Sequence, residues 1–362
     1  MQQQKCFRFE AVWLRSKECK GVIEQAWASR YAADPTQSLL HKIRSCKEDI
    51  TCWDRTGLGN ITKRIKDIES ILKAATQSEI TRDVQTRNKA LQAELEELLE
   101  REETLWRQRG KALWLKEGDR NIAFFHAQAT ERRHRKEIKK LKNHAGVEVS
   151  GSYEIQDIIV EYFSNIFMST SPDGRVIDGI LACLETRVTE EMNTVLCRPF
   201  TPEEVKCALD AMHPLKSPGP DGMSPIFYQK FWSIIGTDVS RCALQILNEH
   251  VLDKDLNHTH IVLLPKCTSP VLVLDFCPIS LCNVVYKLAS KTIANRLKPL
   301  LNTLISNSQS AFVLGHVNLD NVLVAYEVNH YLAHKYQGDS GYVSLKLDLS
   351  KAYDRVEWYF LE

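Results

Sequence analysis

Apolar residues recur at helical spacing over long stretches of this chain, and that period constrains the fold more than any other feature. Ile65, Ile68 and Leu72 fall on one helix face, and Leu91, Leu95, Leu98 and Leu105 on another. The charged, helix-favouring stretch from Thr62 to about Lys116 therefore reads as two helices. They either pack as an antiparallel pair or dimerise as a coiled coil, for which the heptads are few. A third stripe, Ile155, Ile158, Ile159, Tyr162, Phe163, Ile166 and Phe167, marks a core helix. Thr201, Pro202 and Glu204 form a capping box with proline at the first helical position, starting a helix that runs to about Met212.

Strands are few. Phe7 to Leu14 alternates apolar and polar residues and reads as a short strand, as do His260 to Leu264 and Tyr342 to Leu347. Helices are expected at Ile226 to Ile235, Val239 to His250, Asn283 to Leu300 and Asn321 to Tyr336. Lys216 to Pro225, KSPGPDGMSP, is too rich in Pro and Gly for regular structure and reads as a surface loop of defined shape. The class is α+β, with helices dominant.

Composition narrows the partners. Eleven cysteines are scattered without CxxC pairs, and an odd number without an apolar leader argues for reduced thiols in an intracellular protein, nuclear or cytoplasmic. No apolar run approaches the roughly 18 to 20 residues that span a bilayer, so a membrane partner is not expected. A net charge of +1 gives no global attraction to phosphate, and a nucleic-acid reading must rest on local clusters. One exists: Arg132, Arg133, Arg135, Lys136, Lys139, Lys140 and Lys142 surround a single acid, Glu137. This density suits an RNA backbone through counterion release, and equally a solvated helix face.

Gly341 to Trp358, GYVSLKLDLSKAYDRVEW, places an Asp at the end of an expected strand, followed by a turn and a helical pattern. An isolated Asp there is usually a cap or a solvent contact. Its company is more specific. KLDLSKAYDRVEW resembles the first catalytic palm motif of the reverse transcriptases of LINE-type (non-LTR) retrotransposons, in the form common in plants. KSPGPDGMSPIFYQKFW from Lys216 resembles the same enzymes' loop and helix ahead of the fingers, and LLPK from Leu263, DFCPISLCNVVYKLASKTIANRLKPLL from Asp275 and QSAFVLGHVNLDNVLVAYE from Gln309 are similar to their finger motifs, in order. Upstream, FRFEAVWL and WLKEGDRNIAFFHAQATERR resemble the segment that joins the endonuclease and polymerase of that family.

The resemblance implies an RNA-directed DNA polymerase fragment. Its N-terminal region would be mostly helical, followed by the fingers and an incomplete palm of a right-hand polymerase. The implied organisation is a linker remnant at 1–60, a helical region at 61–125, an extension with the basic cluster at 126–200, fingers at 201–341 and the start of the palm at 342–362. Asp348, with the carbonyl of Leu349, would hold Mg2+, because phosphoryl transfer concentrates negative charge that paired cations neutralise. Lys266 would touch the incoming deoxynucleotide triphosphate and Gln309 the template strand of an RNA template and DNA primer. Tyr353 would crowd a ribose 2′-hydroxyl, or else simply pack in a core.

Departures qualify these implications. Where the family usually has DFRPIS, with an Arg gripping triphosphate oxygens, this chain has Cys277, and a neutral thiol cannot replace a bidentate guanidinium. Leu314 and His316 likewise replace the family's usual proline and arginine. The sequence reaches Glu362 before the family's second aspartate motif, so weak magnesium binding and no polymerisation by these residues alone are expected, as in a decayed, truncated copy. The alternative function is a non-catalytic RNA-binding remnant working through Arg132 to Lys142.

Overall fold

A computed structural model describes residues 6–29, 34–55, 61–75, 82–110, 122–306, 308–311, 313, 315–336, 338, 341–349 and 351–361. It is mostly helical, with two small antiparallel sheets. In chain order the first half holds α1 (Lys17–Trp27), α2 (Pro35–Trp53), α3 (Ile61–Ala75), α4 (Arg82–Gly110), α5 (Ile122–Arg135), β1 (Leu141–Lys142), β2 (Glu148–Val149) and α6 (Ser152–Phe167). There follow α7 (Gly174–Leu181), α8 (Glu190–Cys197), α9 (Pro202–Asp210), α10 (Pro225–Lys230), α11 (Trp232–Glu249) and α12 (Lys254–Asn257). The last third holds β3 (His260–Pro265), β4 (Phe276–Leu281), α13 (Val284–Leu297), α14 (Leu301–Leu304), α15 (Asn318–His334) and α16 (Trp358–Leu361). Among the described residues no helix is long and apolar enough to cross a membrane.

The chain divides into two compact units, one of residues 1–138, 200–268 and 276–292, the other of 139–199, 269–275 and 293–362. The larger unit is built on one apolar core shared by α1, α2, α9, α10, α11 and α13, with Ile23, Leu39, Ile50, Leu209, Phe227, Tyr228, Ile235 and Leu288 fully buried. The Phe9 ring meets Trp13, Phe227 and Phe231 edge-on. Removing any one of these rings would cost about 3 to 5 kcal/mol in transfer and cavity energy. All eleven cysteines are free. Burial pushes the Cys19, Cys46 and Cys242 thiols up to about 11, 12 and 11, which keeps them protonated.

The α3 and α4 stripes do pack on each other as an antiparallel pair. Ile65, Ile68 and Leu98 are buried between the helices, and Arg64 pairs with Glu94 at 2.7 Å. Leu105 instead joins the main core, and the stretch running on to Lys116 lies partly outside the described residues. The capping box holds as well: Glu204 N–H donates to Thr201 Oγ1 and Thr201 N–H to Glu204 Oε2.

Several expectations are corrected. Phe7 to Leu14 is no strand: Ala11–Arg15 is a 3₁₀ turn, because Phe9, Val12 and Trp13 are spaced to share one side of a turn, and all three are buried. The expected helix at Ile226 to Ile235 is split at Phe231. The α6 helix buries only Ile155 and Phe163 and leaves Phe167 exposed, so it is a half-covered surface element. The expected strand from Tyr342 to Leu347 has no strand pairing among the described residues, and Val343, Leu345 and Leu347 are exposed. A strand is defined by its partner, and alternation alone supplies none.

The Lys216 to Pro225 loop has a defined shape, but its second half is inside the protein: Gly222, Met223, Ser224 and Pro225 are buried. Phe9 N–H donates to Gly222 O at 2.9 Å, Met223 N–H to Asp221 Oδ1 at 3.0 Å, and Lys287 Nζ to Ser217 O at 2.8 Å. Burial pushes the Asp221 carboxyl up to about 6, against the opposing pull of Met223 N–H, Lys287, the Tyr228 hydroxyl and Lys47. Burial also lowers Lys287.

An unfolded Asp ionises near 4, so the folded state is favoured while Asp221 keeps its proton. That contribution is complete below about pH 4 and is lost as pH rises through 6, by about 2 to 3 kcal/mol. Urea unfolding at pH 4 and pH 7 should therefore show a falling stability that the isosteric Asp221→Asn flattens. An unchanged pH slope in that variant would contradict the assignment.

Candidate nucleotide and nucleic-acid site

The hairpin formed by β3 and β4 pairs Leu264 with Cys277 and Pro265 with Phe276. Side chains alternate across a strand, so Val262, Leu264, Cys277 and Ile279 share one face and Leu263 and Phe276 the other. Leu263 and Phe276 are buried, whereas Cys277 and Ile279 are exposed. Lys266, one residue past β3 where the chain bends, is exposed close in sequence to Leu264, the partner of Cys277. Pro278 is tolerated because each strand of a two-stranded ribbon has one unpaired side. Sequence alternation found β3 and missed β4, whose Cys277, Pro278 and Ser280 blur the apolar period.

Asp348 lies in the exposed segment Gly341–Leu349, and Leu349 beside it is 80% exposed. Beyond it the chain turns through Lys351 at φ +56° into a 3₁₀ turn, Ala352–Arg355, where Asp354 N–H donates to Lys351 O. Tyr353 in that turn is 82% exposed and belongs to no core formed by the described residues. The turn is anchored by groups that the sequence did not single out. Tyr162 of α6 faces Arg355 and Asp354, its hydroxyl raised chiefly by burial. Glu357 accepts from Ser169 Oγ at 2.7 Å and from Thr170 N–H at 3.0 Å, and the Ser169 bond leads the contacts that lower its carboxyl.

A magnesium site needs several oxygens in near-octahedral array. Among the described residues no group of three or more His, Cys, Asp or Glu side chains is arranged to hold a metal ion. Gln309 is exposed on the loop after α14; its side chain donates to Ala311 O, and its carbonyl meets His316 Nδ1 at 2.7 Å. Leu314 lies outside the described residues.

The basic cluster is divided. Arg132, Arg133, Arg135 and Lys136 belong to the larger unit, at and just past the end of α5, while Lys139, Lys140 and Lys142 belong to the other, leading into β1. A single helix face is thereby excluded. Arg135 pairs with Glu131, Lys140 with Glu148 at 3.0 Å, and Arg132 donates to Gly110 O at 2.9 Å. Burial lowers Lys136, and the positive charges of Arg132 and Arg8 lower it further. Arg8 thus adds to the basic group from a distant part of the sequence, invisible to a count along the chain.

Comparison with known proteins bears on these groups. Residues 274–362 match the family described as reverse transcriptase (RNA-dependent DNA polymerase), a span that contains Cys277, Gln309, Asp348 and Tyr353. The chain is also 31% identical over 247 residues, 67% of its length, to the "Transposon TX1 uncharacterized 149 kDa protein" of Xenopus laevis. The match spans 18% of that relative's length. Both similarities support a reverse-transcriptase-derived chain of transposon kind.

Proposed function

We propose that this chain is part of an RNA-directed DNA polymerase of a non-LTR retrotransposon, in which Asp348 is one of the carboxylates that hold magnesium at the primer terminus. The match of residues 274–362 to the reverse transcriptase family carries the reading. Lys266 contacts the triphosphate of a deoxynucleotide, Tyr353 lies under its sugar, and Gln309 meets the RNA template paired to a DNA primer. On this reading Asp348 supplies one ligand of a site that needs several, and these residues bind magnesium weakly and do not polymerise by themselves.

The open hairpin face offers a test. If Lys266 and Cys277 flank a triphosphate, Cys277→Arg adds a bidentate charge-assisted grip of about 1.5 to 3 kcal/mol, and dTTP binding should tighten roughly ten- to a hundredfold. Equilibrium binding of radiolabelled dTTP with magnesium measures it. Affinity unchanged by Cys277→Arg and by Lys266→Ala would contradict the nucleotide reading.

A second reading, a non-catalytic RNA-binding remnant, is favoured by the like charges of Arg8, Arg132 and Lys136. It requires only phosphate contacts, and its test is salt dependence.

A further inference from the structure

The β3–β4 hairpin of the larger unit is held at both ends by one buried side chain. Asn283, 3% exposed, lies two residues beyond the end of β4. Its Nδ2 donates to Leu256 O at 3.2 Å, in the short α12 helix just before β3, and its Oδ1 accepts from Asp221 N–H at 3.3 Å. One amide therefore ties the entry strand, the exit strand and the proline-glycine loop together. The loop fits closely against it: a Cβ on Gly219 would stand 2.5 Å from Asn283 N and Oδ1. One turn along α13, Lys287 ties the loop again at Ser217 O. Leu263 and Phe276 bury one face of the hairpin, while these polar ties hold the chain at its two ends.

We propose that Asn283 is a positioning residue, a latch that fixes both ends of the β3–β4 hairpin to the 217–223 loop and so sets how the face bearing Cys277, and the nearby Lys266, are presented. In the part that concerns nucleotide, this rests on the reading of that face given above. The latch works through hydrogen bonds rather than volume. Losing the amide strands Leu256 O and Asp221 N–H without partners in the interior, where an unpaired polar group is costly. The strands then open locally while the helical core stays closed.

Hydrogen exchange of the full chain, followed by mass spectrometry, tests the latch with Asn283→Leu, which keeps the branched heavy-atom outline without the hydrogen bonds, and Lys287→Met, which removes the outer tie together with its charge near Asp221. The amides of 261–264, 277 and 279–281 should exchange at least about tenfold faster in Asn283→Leu and about threefold faster in Lys287→Met, with α11 unchanged. In Asn283→Leu, radiolabelled dTTP should bind correspondingly more weakly. Strand protection equal to wild type, or α11 loosened as much as the strands, would overturn the latch. Should Asn283→Leu fail to fold, the Lys287→Met pattern decides by the same criteria. If the wild-type chain binds no dTTP, the nucleotide reading of the face falls, and the exchange pattern, which uses no ligand, still judges the latch.

Discussion

Gly222→Ala should destabilise the larger unit by at least about 3 kcal/mol. Gly222 sits at φ +78°, where a side chain costs about 1 kcal/mol or more by itself. The added Cβ would also stand 2.3 Å from Phe7 O, a backbone atom that can yield only if the N-terminal segment moves. That segment carries Phe9 and Trp13 into the core, and Phe9 N–H is bonded to Gly222 O, so the displacement spreads to the aromatic cluster.

Gly146 provides the control. It has the same φ of +78° with nothing within 4 Å of its would-be Cβ, so Gly146→Ala should show the conformational penalty alone, about 1 kcal/mol. Urea unfolding separates the two. A Gly222→Ala cost no larger than that of Gly146→Ala would show that Phe7 does not hold its place against the loop.

The second large effect is expected in RNA binding. With single strands, the logarithm of affinity falls against the logarithm of salt with a slope of about 0.7 per phosphate contacted. Four contacts from Arg8, Arg132, Arg133 and Lys136 would thus give a slope near 3 and roughly a fiftyfold loss of affinity between 50 and 200 mM salt. Neutralising all four in the full chain should remove most of that slope. Gel shifts at several salt concentrations measure it, and neutralising Lys139, Lys140 and Lys142 instead reports the other unit separately. A slope that survives both sets of substitutions would exclude the basic cluster as the RNA contact.

Local features of this fold were legible in the sequence, and features made by distant partners were not. The Thr201 capping box and the α3 and α4 stripes are complete within a few turns of chain, so spacing alone specified them. Phe7, Phe9 and Trp13 fit an alternating strand, but Val12 between them is buried too, and the backbone of Phe9 is held by the Gly222 carbonyl, far away in sequence. The unusual carboxyl of Asp221 was equally hidden. Nothing in PGPDG says that Asn283, Tyr228 and Lys287 close around it.

At the candidate site, the motif around Asp348 was readable because residue types and order carry it. The support of the following turn by Tyr162 and Glu357 was not, since those contacts join separate parts of the chain. The basic run was visible as a density of charge, while its division between two compact units and its reinforcement by Arg8 depended on the fold.

At the centre stands a requirement of phosphoryl transfer: charge gathering on the reacting oxygens must be met by metal ions that several carboxylates hold together, and Asp348 is proposed as one of them. Primer extension by the purified chain, on an RNA template with a DNA primer, dNTPs and magnesium, tests this most directly. No template-dependent product is expected. Extension that is abolished by Asp348→Ala would contradict it, because a single carboxylate would then suffice.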